Sequence, residues 1–204
     1  MKKGDFIEAT YTGKLESGEV FDTTDVAIAK EEGIFNENTT YGPVIACLGE
    51  GHLLKGLEEY LEGKKEGKHT IALDAEHAFG KRQGKLLQLV PTQKLVKAGI
   101  KPYPGLQLNM DGMLATIKTV SGGRTILDFN HPLAGRDVSY EVDVKRIVTD
   151  DKEKIKGILS LEFRQNVSVE EKEGKLMVKG VKEELQEPAK KRVKEIVKKD
   201  LLFD

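Results

Sequence analysis

The sequence predicts an α+β fold made of a β-rich body, a β-rich module inserted into it, and an α+β unit at the C-terminal end. Three observations predict it. Short runs alternating apolar and polar residues fill positions 3–24 and return at 137–148 after an interruption. The interrupting segment, from about Gln83, is a run of short strands with its own turns and enough apolar residues for a small core. After Thr149 the chain becomes more charged, and helical spacing appears.

In chain order, DFIEATYTGKL and EVFDTT read as a hairpin joined by Glu16-Ser17-Gly18-Glu19. Residues 25–43 read as a polar loop with a few aromatics. VIACLG reads as a strand, followed by a Gly-bracketed turn and a short helix with Leu53, Leu54, Leu57, Tyr60 and Leu61 on one stripe, closed by Gly63. HTIAL is another strand, leading into a loop that stops at Gly80. In the interrupting segment, LATIKTV and RTILDFN form a hairpin around Ser121-Gly122-Gly123, and TQKLVKAG holds a single helical turn. DVSYEVDVKRIV then places Val138, Tyr140, Val142 and Val144 on one strand face. Asp150 and Asp151 suit the cap of a helix EKIKGILSLEF. VSVEEKEGKLMVKGV reads as a hairpin turning at Glu173-Gly174. LQEPAKKRVKEIVKKDLLF reads as an amphipathic helix with Pro188 in its first turn and Ala189, Val193, Ile196, Val197 and Leu201 on its apolar stripe.

Charged residues make up 33% of the chain and the net charge is −1, so no global field points at nucleic acid or anionic lipid. The single cysteine, Cys47, lies in an apolar run, where a thiol packs as a small hydrophobe and no disulfide framework exists. The N-terminal lysines precede no apolar stretch of signal-peptide length, and no segment reaches the roughly 20 apolar residues of a membrane span. We therefore expect a soluble cytoplasmic protein with no membrane partner.

Several chemistries lack their residues. In GHLLKGL, Leu57 stands where a phosphate loop needs lysine, and GKKEGKHT is one residue short. His52, His69, His77 and His131 lack ligand spacing, so surface or loop roles are expected for them, with no metal and no cofactor. No Gly-x-Ser-x-Gly elbow occurs, and Cys47 lacks an electropositive setting. The basic helix AKKRVKEIVKK is broken by Glu195, and its apolar stripe points to packing in place of nucleic-acid binding.

The motifs YTGKLESGEVFDTT, LGEGHLLKGLEEYLEGKKEGKHTIALDAEHAFG and VSYEVDV together resemble the FKBP class of peptidyl-prolyl cis/trans isomerases. Within it the chain is similar to SlyD-type members, in which an insert-in-flap chaperone domain interrupts the loop after AFG, and the linking DFNHPLAG is typical of them. Long archaeal forms carry a similar additional C-terminal domain. The resemblance implies an antiparallel half-barrel sheet wrapped on a short helix. It divides the chain into an isomerase domain at 1–82 with 130–150, an insert at 83–129 and a C-terminal domain at 151–204.

Carried over residue by residue, the resemblance assigns Tyr11, the aromatic-acid pair Phe21 and Asp22, Leu53, Leu54, the floor residue Leu57, Phe79 of AFG, Leu133 of HPLAG and Tyr140 to the catalytic pocket, with Val44 as a wall. Macrolide-binding members have Trp at the position of Leu57 and Tyr at that of Phe79, and Tyr140 replaces a common Phe. The chemistry accounts for such residues. Rotation about an amide faces a barrier of ~18–20 kcal/mol because resonance must break. The twisted amide has a weaker dipole than the planar one, so an apolar, water-poor pocket favours it, while a few polar groups orient the chain. Tyr11, Asp22 and the Leu54 backbone N–H are the candidates, with Asp22 positioned as a polar group and not acting as a proton-transfer base. The bland alternative is that Asp22 only satisfies a turn.

The insert carries more apolar residues than a small module easily hides, among them Leu87, Leu89, Val90, Leu95, Val96, Ile100 and Tyr103, and about half are expected in its own core. The resemblance makes the rest a surface for unfolded or proline-containing polypeptide clients. An isomerase with an attached holdase is the main expectation, and a mainly non-enzymatic holdase is the alternative. The C-terminal unit suits either a homodimer contact or a client surface.

Overall fold

Alternation along residues 6–15 produces the strand β1 (Phe6–Leu15), the centre of the body sheet in this computed structural model, which describes residues 1–110, 112–172 and 175–204. One edge of β1 pairs with β2 (Val20–Thr23) near its C-terminal end and with β3 (Val44–Cys47) near its N-terminal end. Its other edge pairs with β9 (Val138–Val148), which in turn pairs with β4 (Gly67–Leu73), and every pairing is antiparallel. The inward residues of β9 are Val138, Tyr140, Val142 and Val144, all buried as their spacing predicts.

The segment 25–43, expected as a loop, holds a short helix α1 (Val26–Glu31). Asp25 caps it, accepting from the N–H groups of Ala27 and Ile28. The next helix, α2 (Lys55–Leu61), is shorter than the predicted stripe. Leu57 and Leu61 are buried, Leu53 and Leu54 precede the helix, and Tyr60 is exposed. Gly56 explains how α2 sits so close to the sheet. A Cβ there would lie 2.6 Å from Leu73 Cδ2 and 2.8 Å from the His77 carbonyl, which accepts the Gly56 N–H.

Two compact units make up the chain, one of residues 1–78 with 137–204 and the other of residues 79–136. The boundary expected after residue 150 is not one of the divisions. In the structure α4 (Asp151–Phe163) packs on β3, because Gly157 has no Cβ; one would stand 2.6 Å from the Ile45 carbonyl oxygen. Asp150 is the cap of α4, and Asp151 lies in its first turn. Phe6, Cys47 and Val148 of the body share a core with Ile155, Ile158 and Leu159 of α4 and with Val178, Val193 and Leu201 beyond it. Burial drives the Cys47 thiol pKa up to about 12, the state of an inert packed thiol.

The rest of the C-terminal region is a three-stranded sheet and a helix. β10 (Ser168–Lys172) pairs antiparallel with β11 (Lys175–Lys179), and the expected turn at Glu173-Gly174 lies outside the described residues. α5 (Glu183–Ile196) begins earlier than predicted, so Pro188 falls inside the helix beyond its first turn. Glu183 and Glu184 favour the earlier start by placing negative charge at the positive end of the helix dipole. The helix also stops earlier: Lys198 adopts φ 61°, and the chain enters β12 (Leu201–Phe203), parallel to β11. Leu201 is buried there as a strand residue.

The second unit is a four-stranded antiparallel sheet in the order β5 (Leu87–Pro91), β8 (Arg124–Asp128), β7 (Met113–Ser121), β6 (Gln107–Met110), with one short helix, α3 (Thr92–Lys97). Its core is Leu95, Ala115, Ile117 and Leu127, backed by Val90, Ile100, Leu106 and Phe129. No described helix in the chain is long and apolar enough to cross a membrane.

Candidate functional site

Gly13 is the point around which the predicted aromatic residues assemble. It pairs with Asp22 on β2 and with Tyr140 on β9, so both neighbouring strands meet at one residue. A Cβ at Gly13 would lie 2.8 Å from Phe21 Cζ and 2.8 Å from Tyr140 Cε1. Only glycine lets both rings close over the strand. Tyr140 meets Tyr11 edge to face at 5.9 Å and Phe21 at 5.7 Å, arrangements that favour the ring quadrupoles. The middle of β1 is tied to the end of β2 by hydroxyls: Thr12 and Thr23 share a buried hydrogen bond of 2.9 Å, and the Tyr11 N–H donates to Thr24 Oγ1.

The electrostatics of this cluster follow from its dryness. Burial raises the Asp22 pKa above the ordinary carboxylate range, and the Thr23 N–H offsets part of that. The Tyr11 hydroxyl is pushed up to about 12, first by burial and then by the Asp22 charge. Tyr140, 2% exposed, is raised by the same two causes in the same order. The arrangement can offer an acceptor and two hydroxyls at the edge of an apolar surface, and all three groups resist ionisation.

Leu57 of α2 is 2% exposed, and Leu53 and Leu54 are half-buried in the turn before it. That turn is organised by Glu58, whose carboxylate accepts from the N–H groups of Gly49 at 3.1 Å, Gly51 at 3.4 Å and Leu53 at 3.2 Å. Among the described residues nothing accepts from the Leu54 N–H. Val44 opens β3 opposite Ala9. Phe79 and Leu133 fall in the second unit, where the Phe79 ring stacks on His131 at 4.6 Å. Sequence reasoning missed Gly13 and Glu58. The glycine of YTGKL and the acid one turn into the helix were visible, but their partners were not.

A cavity of about 700 Å³ opens beside α1, lined among others by Thr10, Thr12, Val26, Tyr41 and Lys145. Of the predicted site residues it touches only Tyr11, so it is a different feature. No group of three or more described His, Cys, Asp or Glu residues is arranged to hold a metal ion.

His52 has a polar role in the turn before α2, within the expectation of surface or loop roles. Its side chain is 3% exposed and bridges the Cys47 N–H to Glu162. Leu95, expected on the client surface, is 4% exposed and forms part of the second unit's core.

Residues 1–97 match the family described as FKBP-type peptidyl-prolyl cis-trans isomerase, and residues 88–133 match the one described as FKBP26, IF domain. The chain is 31% identical over 148 residues to the short-type peptidyl-prolyl cis-trans isomerase of Methanocaldococcus jannaschii, covering 72% of this chain and 94% of that one. It is 36% identical over 110 residues to the FKBP-type 16 kDa peptidyl-prolyl cis-trans isomerase of Escherichia coli, covering 52% and 74%. The chain belongs to the FKBP-type peptidyl-prolyl cis-trans isomerase family. Its homologues include SlyD of Escherichia coli, 32% identical over 130 residues that cover 59% of this chain and 64% of that one.

Proposed function

We propose that the chain catalyses cis/trans isomerisation of Xaa-Pro bonds at the Tyr11, Phe21, Asp22 and Tyr140 cluster, with Leu53, Leu54 and Leu57 as apolar surroundings. The observation that carries the reading is the Gly13 junction, where two rings close over the backbone and leave a carboxylate and two hydroxyls in a dry setting. Such a surface favours the twisted, less polar amide over the planar one. Asp22 acts by position: its one donor is the Thr23 backbone N–H, and its charge helps the nearby Tyr11 and Tyr140 hydroxyls hold their protons. The unpaired Leu54 N–H would donate a hydrogen bond to a substrate carbonyl.

The second unit is proposed to hold unfolded clients. Leu87 and Leu89 point to one face of the edge strand β5 and are 43% and 59% exposed, and Val96 and Tyr103 are also exposed. Met113 and Leu114 join them as exposed apolar residues that the sequence reading did not single out. An edge strand with exposed apolar side chains suits an extended polypeptide, which adds backbone hydrogen bonds to side-chain contacts. Val90 and Ile100 are half-buried against the module core and contribute less.

The deciding experiment is NMR exchange spectroscopy on a short Xaa-Pro peptide with catalytic amounts of the protein. We expect acceleration of the exchange and its loss in Asp22→Ala. No acceleration by the wild type, with aggregation of an unfolded protein still suppressed, would leave the holdase reading, which the exposed residues of the second unit favour.

A further inference from the structure

We infer that the C-terminal helices α4 and α5 position the turn of residues 49–54, with Glu162 and Arg192 as positioning residues for the proposed prolyl pocket. The inference rests on the isomerase reading above and extends it to a region outside the pocket motifs. The Cys47 N–H donates to His52 Nδ1 at 2.9 Å, so that nitrogen must present its lone pair. The proton of the neutral ring then sits on Nε2, which donates to Glu162 Oε1 at 2.6 Å. Arg192 Nε donates to both oxygens of the same carboxylate at 2.9 Å, and its NH2 group reaches Glu50 Oε2 at 3.1 Å.

Two residues flanking Gly51 are therefore tied to the C-terminal helices, His52 through Glu162 and Glu50 through Arg192. On the other side, Glu58 collects the N–H groups of Gly49, Gly51 and Leu53. The turn has few conformations left, and its last residues are Leu53 and Leu54, with the unpaired Leu54 N–H. Burial alone would raise the Glu162 pKa, but hydrogen bonds from Arg192 and His52 hold it below the ordinary range, as expected of a carboxylate that stays charged at the centre of the network. Such a contiguous chain of bonds carries coupling between sites that do not touch.

The test uses the full chain with Arg192→Met and Glu162→Gln, and Lys191→Met as an exposed control on the same helix. Peptide isomerisation is measured as separate kcat and KM, alongside backbone amide shifts and exchange rates of Gly49, Gly51, Leu53 and Leu54. We expect kcat to fall about 5-fold or more in Arg192→Met, a size usual for coupled sites. KM should change little, the four amides should shift and exchange faster, and Lys191→Met should behave as wild type. Arg192→Lys should restore only part of the rate, because an ammonium cannot span both carboxylates with fixed geometry. Unchanged kcat with unchanged amides overturns the inference, as does a rate loss that follows the melting temperature alone across all variants. If Arg192→Met does not fold, Glu162→Gln decides, since its amide oxygen still accepts from His52 while the paired Arg192 contact is lost. A wild type without isomerase activity would sink the isomerase reading, and the amide measurements would still decide whether α4 and α5 hold the turn.

Discussion

Asp22 of the body and Asp128 of the second unit are both shielded carboxylates with opposite electrostatics. Asp128, 3% exposed, accepts from the Asn130 N–H at 2.9 Å and from Asn130 Nδ2 at 2.7 Å, and it pairs with Arg82. Burial would raise its pKa, but these donors win and hold it below the ordinary range. Asp22 has a single backbone donor against burial, and its pKa is raised. The difference separates a carboxylate used as a structural tie from one left short of partners at the proposed site. The two units differ in the same sense in apolar surface. Among the described residues, six large apolar side chains are exposed in the 58 residues of the second unit, against five in the rest of the chain. A folded module gains nothing from that display, which is why it is read as a binding surface.

The comparison can be broken most directly at Asp128. Asp128→Ala leaves the Asn130 and Arg82 donors without their acceptor, and we expect a loss of about 2–3 kcal/mol. Hydrogen exchange should show that loss concentrated in residues 79–136, and an equal loss in the body would refute the division of roles. Replacing Asp22 by Asn, in contrast, should leave the melting temperature near or above that of the wild type.

Titration sharpens the same contrast. Asp22 keeps its proton above the pH at which an unfolded chain loses it, so its contribution to stability is full below the ordinary carboxylate range and is lost as pH rises through its raised value. Asp128 works the other way. Its contribution is full above the ordinary range and is lost as pH falls toward its depressed value. Carboxyl carbon shifts followed by NMR should place the Asp22 midpoint above, and the Asp128 midpoint below, the ordinary value of an aspartate in an unfolded chain. Coincident midpoints would show the two sites to be electrostatically alike.

The smallest effect on stability is expected at the exposed face of the second unit. Leu89→Ser with Val96→Ser should change unfolding free energy by under about 0.5 kcal/mol, as surface changes usually do. Suppression of aggregation of an unfolded protein should nevertheless weaken several-fold, with isomerisation of a short peptide unchanged. Undiminished suppression would move the client surface elsewhere.

Much of this fold can be read in the residues themselves. Alternation in 6–15 and 138–148 is a period of two that a strand with one buried face imposes, so β1, β9 and their inward Val and Tyr residues follow directly. The short motifs around Tyr11, Asp22 and Leu57 were legible because the residues of each lie close in sequence. Other features were not legible for equally physical reasons. Leu201 keeps helical spacing with Val197, yet it lies in a strand because the left-handed residue Lys198 turns the chain toward β11. The short helix α1 carries too few turns to show a period.

Local chemistry written along the chain thus determined by itself the alternating strands β1 and β9 and their buried faces. Tertiary structure alone decided that residues 151–204 share a core with the body, that Gly13 must be bare beneath two rings, and that His52 meets Glu162 across 110 positions of sequence. Pairings at that separation leave no periodic trace in the sequence. They depend on shape, on the absence of a Cβ at Gly13 and Gly157, and on which donors remain unpaired once the backbone has closed.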